Sequence, residues 1–598
     1  MIETHGSLQG PDYAMIAAYF LLMLGIGAYF YRYMRGIKDY FSGGNNIPWW
    51  LSGVSFYMSS FSVAAFIFYP ALCYRHGWVG VTLLWVAVPA TLFSVLLLAR
   101  KWRRARIDSP VEYLEQRYSP VLRQLFTWQG VPVRIIDDGI KLLAIGTFIS
   151  VGLGFDMTLS MVCAGVIMLL YTFMGGLWAV AVTDFVQFVV LTAAIVIMFP
   201  LAFLRAGGFM TVFNEAPEGF FRLTTPEYNW GYVAFLIVMY SLAWSSINWP
   251  LIQRYYCVPR ERDAVKVGLT VIVLYIIGPP IMFLPAIAAT RILPGLEDAG
   301  DVYPLLCNAL LPAGMLGLVV AAMFAATMSM LSSDYNVCAN VLTNDVYRRL
   351  IRPAASDREL VLVGRIATLL VGGLALVTAL TMARGRGEDL FRVMVTLFGV
   401  ATAPVAIPMI LGLLSRQFTA RSAFWGFLCG LIVGVGLFVL SRYNTPIVFY
   451  QFQWRPDAGE LILFGQAVKL EMALFISASV VTLLVMIFLT LTRPMQLTEK
   501  EDVYSFFDKL TIPIGLLESD RKEAAKVSDV SPFRIVGISL LIIALMMVVI
   551  LPWTTDWLTA GLNAIVALFL GGVGALMARH KTATELATET PEEELPYE

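Results

Sequence analysis

Five serines, Ser52, Ser55, Ser59, Ser60 and Ser62, fall within eleven residues of an otherwise apolar stretch. A serine hydroxyl in such a helix either bonds back to a carbonyl and loosens the turn, or lets another helix pack closely. Further along, Ser329, Ser332 and Ser333 are spaced three and four apart, so on a helix all three hydroxyls share one face. A dehydrated Na+ needs several oxygens carrying partial negative charge. Hydroxyls from one helix and free carbonyls from an interrupted neighbour can supply them. The string Trp244-Ser245-Ser246-Ile247-Asn248-Trp249-Pro250 predicts such an interruption. The proline removes a helical hydrogen bond and frees carbonyls between Tyr240 and Asn248, leaving a polar side chain beside the break. The break suits a polar solute or a simple packing kink.

The charges inside apolar runs are the sharper signal, because each is costly in a bilayer unless paired or hydrated. Arg134, Asp137, Asp138 and Lys141 lie in one run, where Arg134 with Asp138 and Asp137 with Lys141 have the spacing of helical ion pairs. Lys141 is also a candidate contact for an anionic group of a solute. Asp184 has no basic residue nearby in sequence, and Asp334 sits deep in a long apolar run. Each of these two either faces water or holds a cation.

These residues need elements to carry them, and the composition says which kind. Of 598 residues, 58% are hydrophobic and 14% charged, and the mean hydropathy is +0.74. Soluble domains average roughly 25% charged residues. The main body is therefore no water-soluble enzyme, and the chain is read as a non-enzyme. Lys+Arg 42 against Asp+Glu 42 leaves zero net charge, so no nucleic-acid footprint is expected. Six scattered cysteines and three histidines predict neither a disulfide framework nor a zinc or iron cluster. No nucleotide-binding phosphate loop occurs, so no cofactor is expected beyond an ion.

A spanning helix takes about 20 mostly apolar residues. That ruler gives about fifteen candidates, among them 51–73, 125–153, 157–174, 183–204, 229–252, 308–346 and 391–413. Alternating the intervening loops puts 29 Lys and Arg on one side and nine on the other. The positive-inside rule then predicts an outside N-terminus and a cytoplasmic C-terminus in a plasma (inner) membrane. The stretch 496–533 reads as a cytoplasmic connector and 579–598 as a solvated tail.

Several strings resemble the sodium:solute symporter family. Gly175-Gly176-Leu177-Trp178-Ala179-Val180, with Thr183-Asp184 and Gln187, is similar to its GGLxAV…TDxxQ pattern, and Asn248 to Gln253-Arg254 to its N…QR element. Leu284 to Ala289, Leu342 to Tyr347, Ala403-Pro404 and Ala423 to Gly426 resemble four further elements, in order.

The resemblance implies an all-α polytopic membrane protein with a LeuT-like five-plus-five inverted-repeat bundle and about fifteen transmembrane helices. Residues 1–50 would hold an extra helix and the first cytoplasmic loop, and 51–415 the transport core. Helices in 416–495 and 534–578 would follow. It implies import of a small organic solute on the Na+ gradient, by a chain working as a monomer in the bilayer. A proton-coupled transporter of the same fold and a non-transporting solute sensor remain the alternatives. The family's shared sodium site aligns with carbonyls of Met58, Phe61 and Ala326, the Ser329 hydroxyl and Met330. Met330 departs from the family's Ser or Thr, and a thioether is a poor ligand for a hard cation. A further sodium site of some members aligns with Asp184, Ser329, Ser332 and Ser333, all present. Asn248 aligns with a solute-binding Asn, while two glutamines of the sugar carriers align with Ala65 and Val395. That argues against simple hexose recognition. Ser60, Ser62, Asn248 and Lys141 remain as expected solute contacts.

Overall fold

The computed structural model describes residues 8–31, 41–60, 62–244, 246–311, 314–383, 390–442, 448–449, 452–455, 460–463, 466–518, 520, 532–554 and 557–579. The expected carbonyl ligand Phe61, the loop 32–40 and the tail from 580 lie outside them. The helices that matter for function are α1 (Gly10–Tyr31), α2 (Trp49–Met58), α3 (Ala65–His76), α4 (Pro120–Leu153), α5 (Met157–Arg205), α6 (Trp230–Met239), α7 (Trp249–Tyr256), α8 (Glu261–Phe283), α9 (Met315–Val341) and α10 (Asp357–Met382).

Helix α9 is the pillar of the molecule. Every one of its residues is buried, and α1, α4, α5 and α10 pack around it. Its polar residues, Ser329, Ser332, Ser333, Asp334 and Asn336 among them, would be costly against lipid, so the helix sits at the centre of other helices. Its start is held by Asp12 of α1, whose Oδ1 accepts from the Gly314 and Gly317 amides at 2.6 and 2.7 Å. A carboxylate there satisfies amides that have no partner within the helix. Helices α4 and α5 begin on ordinary caps. Ser119 accepts from the Leu122 amide and Asp156 from the Leu159 amide, and α4 ends on Gly154 in the left-handed region at φ 74°.

Among the described residues, ten helices are long and apolar enough to cross a membrane, or eleven counting one bent pair, against the fifteen expected. The shortfall has particular causes. The expected span 51–73 is split into α2 and α3, and 229–252 into α6 and α7, which meet at 62°. The span 391–413 is split at Thr402 into helices Leu390–Ala401 and Ala403–Leu414. The spans 157–174 and 183–204 join in the single helix α5, where no proline or polar loop separates them. The chain is a multi-pass, helical membrane protein.

Two features depart from an all-α bundle joined by loops. Four short strands, β1 (Val448–Phe449), β2 (Phe452–Arg455), β3 (Glu460–Leu463) and β4 (Gln466–Lys469), pair antiparallel in the order β1-β2-β3-β4. Their β-branched and aromatic residues favour strands. The expected connector contains a helix, Leu497–Thr511, burying Val503, Phe506, Phe507 and Leu510 at helical spacing. Arg106 clamps the end of that helix. Its guanidinium donates to both Asp520 oxygens at 2.8 and 3.0 Å, and to the carbonyls of Lys509, Ile512 and Pro513.

Candidate functional site

The break between α2 and α3 is stitched to α9 rather than left open. Met58 is the last residue of α2. Beyond it, Ser59 Oγ lies 2.8 Å from Ser333 Oγ, and the Val63 amide donates to Thr327 Oγ1 at 3.1 Å. Ser60 Oγ donates to the Tyr57 carbonyl, and Ser62 Oγ accepts from the Ala64 amide. The serines that loosen the helix thus also occupy the polar groups that the break exposes. The second break follows the same logic. After the wide turn Tyr240–Trp244, Ser246 Oγ donates to the Ser241 carbonyl, and Trp102 Nε1 donates to the Ser246 carbonyl. Pro250 then stands in the first turn of α7, where its missing N–H costs nothing.

Asp184 of α5 comes to the side of the first break. Its Oδ2 accepts from Ser55 Oγ and lies 3.4 Å from Arg254 Nη2. Its Oδ1 is buried with no hydrogen-bond partner. Ser329 of α9 faces the same carboxylate, but its hydroxyl stands beyond hydrogen-bond geometry. Ser332 Oγ is turned back to the Ser329 carbonyl at 3.1 Å. Asp184, Ser329, Ser332 and Ser333 are all at 0% exposure. Asp184 was expected to stand without a base. Its partner arrives from 70 residues further on, which no sequence window reveals.

That partner, Arg254, is the residue the sequence reading missed. Counted among loop charges, it is 0% exposed. From α7 its Nε donates to Ser55 at 2.7 Å, Nη1 to Gln253 Oε1 at 2.8 Å, and Nη2 to Ser333 at 2.8 Å and to Ser59 at 3.3 Å. One guanidinium therefore ties α2, α5, α7 and α9 together. Its neighbour Gln253 donates to Asn336 of α9 and to the Phe41 carbonyl. The Gln253-Arg254 string was the available signal.

The intramembrane charges of α4 pair differently from the expectation. Lys141 does meet Asp137, at 2.9 Å, but it also meets Asp138 at 2.8 Å and Asp334 of α9 at 2.6 Å. Arg134 does not take Asp138. It reaches Asp334 at 2.8 Å, because α9 presents that carboxylate across the α4–α9 contact. Asp334 consequently neither faces water nor stands alone. Arg134 also lies 6.0 Å from the ring of Trp249, the first residue of α7.

A cavity opens beside the first break. Ser60, Ser62, Ala65, Asp137, Lys141 and Met330 belong to its wall. Its free volume is about 60 Å³. That is room for a handful of waters, so a solute enters only if lining side chains move. Asn248 is not part of this wall. It stands just before α7 without a capping hydrogen bond from its side chain, is buried, and its Oδ1 has no hydrogen-bond partner. Ala326, like Met330, lies on the buried α9.

A solved structure described as the substrate-bound outward-open state of a Na+-coupled sialic acid symporter superposes with a TM-score of 0.68. It covers 81% of this chain and 98% of that one at 21% identity, which is a likeness of fold. The sodium/sialic acid symporter of Proteus mirabilis is 25% identical over 459 residues, 73% of this chain and 91% of the relative. The sodium/mannose cotransporter of Bos taurus is 30% identical over 492 residues, 72% of this chain and 79% of the relative. The pattern of the Sodium:solute symporter family matches residues 40–430, and the chain belongs to that family.

Proposed function

We propose that this protein is a secondary active symporter that imports a small organic solute on the Na+ gradient by alternating access. The observation that carries the site assignment is Asp184. A carboxylate with one oxygen unpartnered, facing a serine at zero exposure beside a helix break, is the local chemistry a dehydrated cation needs. In this reading Na+ is held by Asp184, Ser329, Ser332 and Ser333. The shared site, built on Met58, Phe61, Ala326 and Ser329, has Met330 in place of one oxygen and binds more weakly. The solute lies in the cavity wall of Ser60, Ser62 and Lys141, with Asn248 at the second break.

The pairs α2–α3 and α6–α7 begin the two halves of a five-plus-five inverted repeat over 51–415, within about fifteen crossings. The N-terminus is outside, the C-terminus is cytoplasmic in the plasma (inner) membrane, and the chain functions as a monomer. Ion and solute drive the cycle only through their different affinities for its two states. Arg254 supplies that difference. Na+ arriving at Asp184 takes over part of the charge the guanidinium now balances, and this weakens the tie between α7 and α5. Asn248 lies six residues before Arg254, so the ion is felt at the solute side.

The test is solute-stimulated ²²Na⁺ uptake into proteoliposomes, scanned across sugars, sialic acids, amino acids and carboxylates. One solute class is expected to raise Na+ entry. Solute uptake that persists without Na+ and collapses with the pH gradient contradicts the assignment.

A further inference from the structure

Helix α7 is held from inside the bundle by Arg254. It is also held at its far end, through a segment that lies some 250 residues later in the chain. The turn after α7 is gripped by Arg103, whose Nε donates to the Val258 carbonyl at 2.6 Å and whose Nη2 donates to the Pro259 carbonyl at 3.2 Å. Arg103 belongs to the short helix Ala99–Arg104, and its neighbour Trp102 donates to the Ser246 carbonyl at the second break. Six residues are too few for a helix to stand alone. Its position therefore depends on what grips its other end.

That grip comes from the connector. Arg104 donates to the Leu510 carbonyl at 3.3 Å and to Glu261 of α8 at 3.0 Å, and Glu261 accepts in turn from the Ile514 amide at 3.3 Å. Arg106 takes Asp520 and the carbonyls that close the connector helix. The last carbonyls of a helix have no partner within it, and a cation satisfies them. Arg106 reaches them from the left-handed region, at φ 52°, which is costly for a residue with a side chain. Such a conformation persists only where its surroundings hold it.

The other end of the connector helix is fixed to a different part of the core. Glu499 accepts from the Ala420 amide at 2.6 Å, at the start of helix Ala420–Arg442. Arg416 lies over the rings of Tyr504 and Phe507 at 5.1 and 5.3 Å. The connector thus runs from one loop to another across the face read as cytoplasmic, and it closes over the end of α7. Four buried apolar side chains among fifteen residues make a light seat, so the polar grips at the two ends decide whether it stays.

We infer that the connector helix Leu497–Thr511, with the turn after it, is a releasable strap: seated, it keeps the cytoplasmic end of α7 shut, and it lifts when the protein opens inward. The inference rests on the alternating-access reading above, and it adds a second restraint on α7 to the one Arg254 supplies.

Cys257, which follows α7, and Cys73 of α3 are both buried and serve as reporters. Inside-out membrane vesicles holding the full-length protein are treated with a membrane-impermeant maleimide, and the labelling rate of each cysteine is read by mass spectrometry. Arg106→Gly removes the guanidinium while glycine keeps the left-handed turn without strain. In that variant Cys257 is expected to label at least fivefold faster than in wild type, with Cys73 within twofold. Glu499→Ala, at the opposite end of the strap, is expected to speed Cys257 at least twofold, and it decides the matter if Arg106→Gly does not fold. Unchanged Cys257 labelling overturns the inference, since the strap then does not govern α7. Cys257 and Cys73 rising together also overturns it, since the whole bundle has then loosened. Solute-stimulated ²²Na⁺ entry into wild-type proteoliposomes is read separately. Its absence overturns symport and leaves the strap standing.

Discussion

Arg254 Nη2 lies 3.4 Å from Asp184 Oδ2, and neither side chain is exposed to any degree. The acid expected to hold a coupling ion therefore already has a cation, tethered to a helix that follows the second break. The pair is not saturated. Asp184 Oδ1 remains without a partner while Ser329 faces it. A buried arginine in this position is both counter-charge and cross-brace, and the two roles separate by mutation.

Asp184→Asn leaves the guanidinium without its counter-ion, and breaking a buried pair in this way costs about 3–5 kcal/mol. A marked fall in Tm is expected in detergent. Adding Arg254→Gln removes the stranded charge and should return part of the lost Tm, short of wild type because the bonds to Ser55, Ser59 and Ser333 go with the guanidinium, without returning Na+ dependence. A double variant that recovers both would show that the carboxylate serves stability alone.

Met330→Ser adds the hydroxyl that the family's shared site carries. Half-saturating Na+ should fall or hold steady, within about fivefold, since one hydrogen-bonding oxygen is worth about 1 kcal/mol. Sodium titration of solute uptake measures this. A large gain, exceeding the loss caused by Asp184→Asn, would put the coupling ion at the shared site.

Arg106 holds the connector helix outside the membrane core. Burial pushes the Asp520 carboxyl up, but the Arg106 guanidinium and neighbouring amides outweigh it and hold it below the ordinary value. A depressed carboxyl stabilises the fold above its unfolded value of about 3.9, and that share is lost as pH falls through the lower folded value. The connector should therefore resist protease near pH 7 and become nicked at the pH extreme below 4. Arg106→Ala should be nicked already at pH 7. Equal resistance of variant and wild type would contradict the clamp.

Gly317 is the point where α1 crosses the start of α9. A Cβ there would lie 2.5 Å from the Asp12 carbonyl oxygen and 2.6 Å from its Cα. Backbone atoms cannot give way as a side chain end can, so Gly317→Ala should cost about 1–3 kcal/mol. A thermal melt tests it, with Gly373→Ala on α10, where a Cβ meets nothing within 4 Å, as the neutral comparison.

The membrane class was legible because apolar runs of spanning length are local properties of the chain. The serine face of α9 was legible because Ser329, Ser332 and Ser333 obey helical spacing, and the second break because Pro250 cannot continue a helix. Partner choice was not legible. Arg134 meets Asp334 from 200 residues away and Asp184 meets Arg254 from 70. Helical spacing suggested a nearer acid for the first and none for the second. The burial of Arg254 escaped for the same reason. A charge placed just after an apolar segment looks like a loop charge unless a partner inside the bundle is known. The meander β1–β4 was missed because its strands are short and interrupted, and the connector helix because its four buried apolar positions lie among many charges.

In the proposed reading the coupling ion binds at Asp184. Half-saturating Na+ for solute-driven ²²Na⁺ uptake, measured side by side for wild type, Asp184→Asn and Met330→Ser, tests it most directly. The account predicts at least a tenfold rise for Asp184→Asn and little change for Met330→Ser. Unchanged Na+ dependence in Asp184→Asn would contradict it.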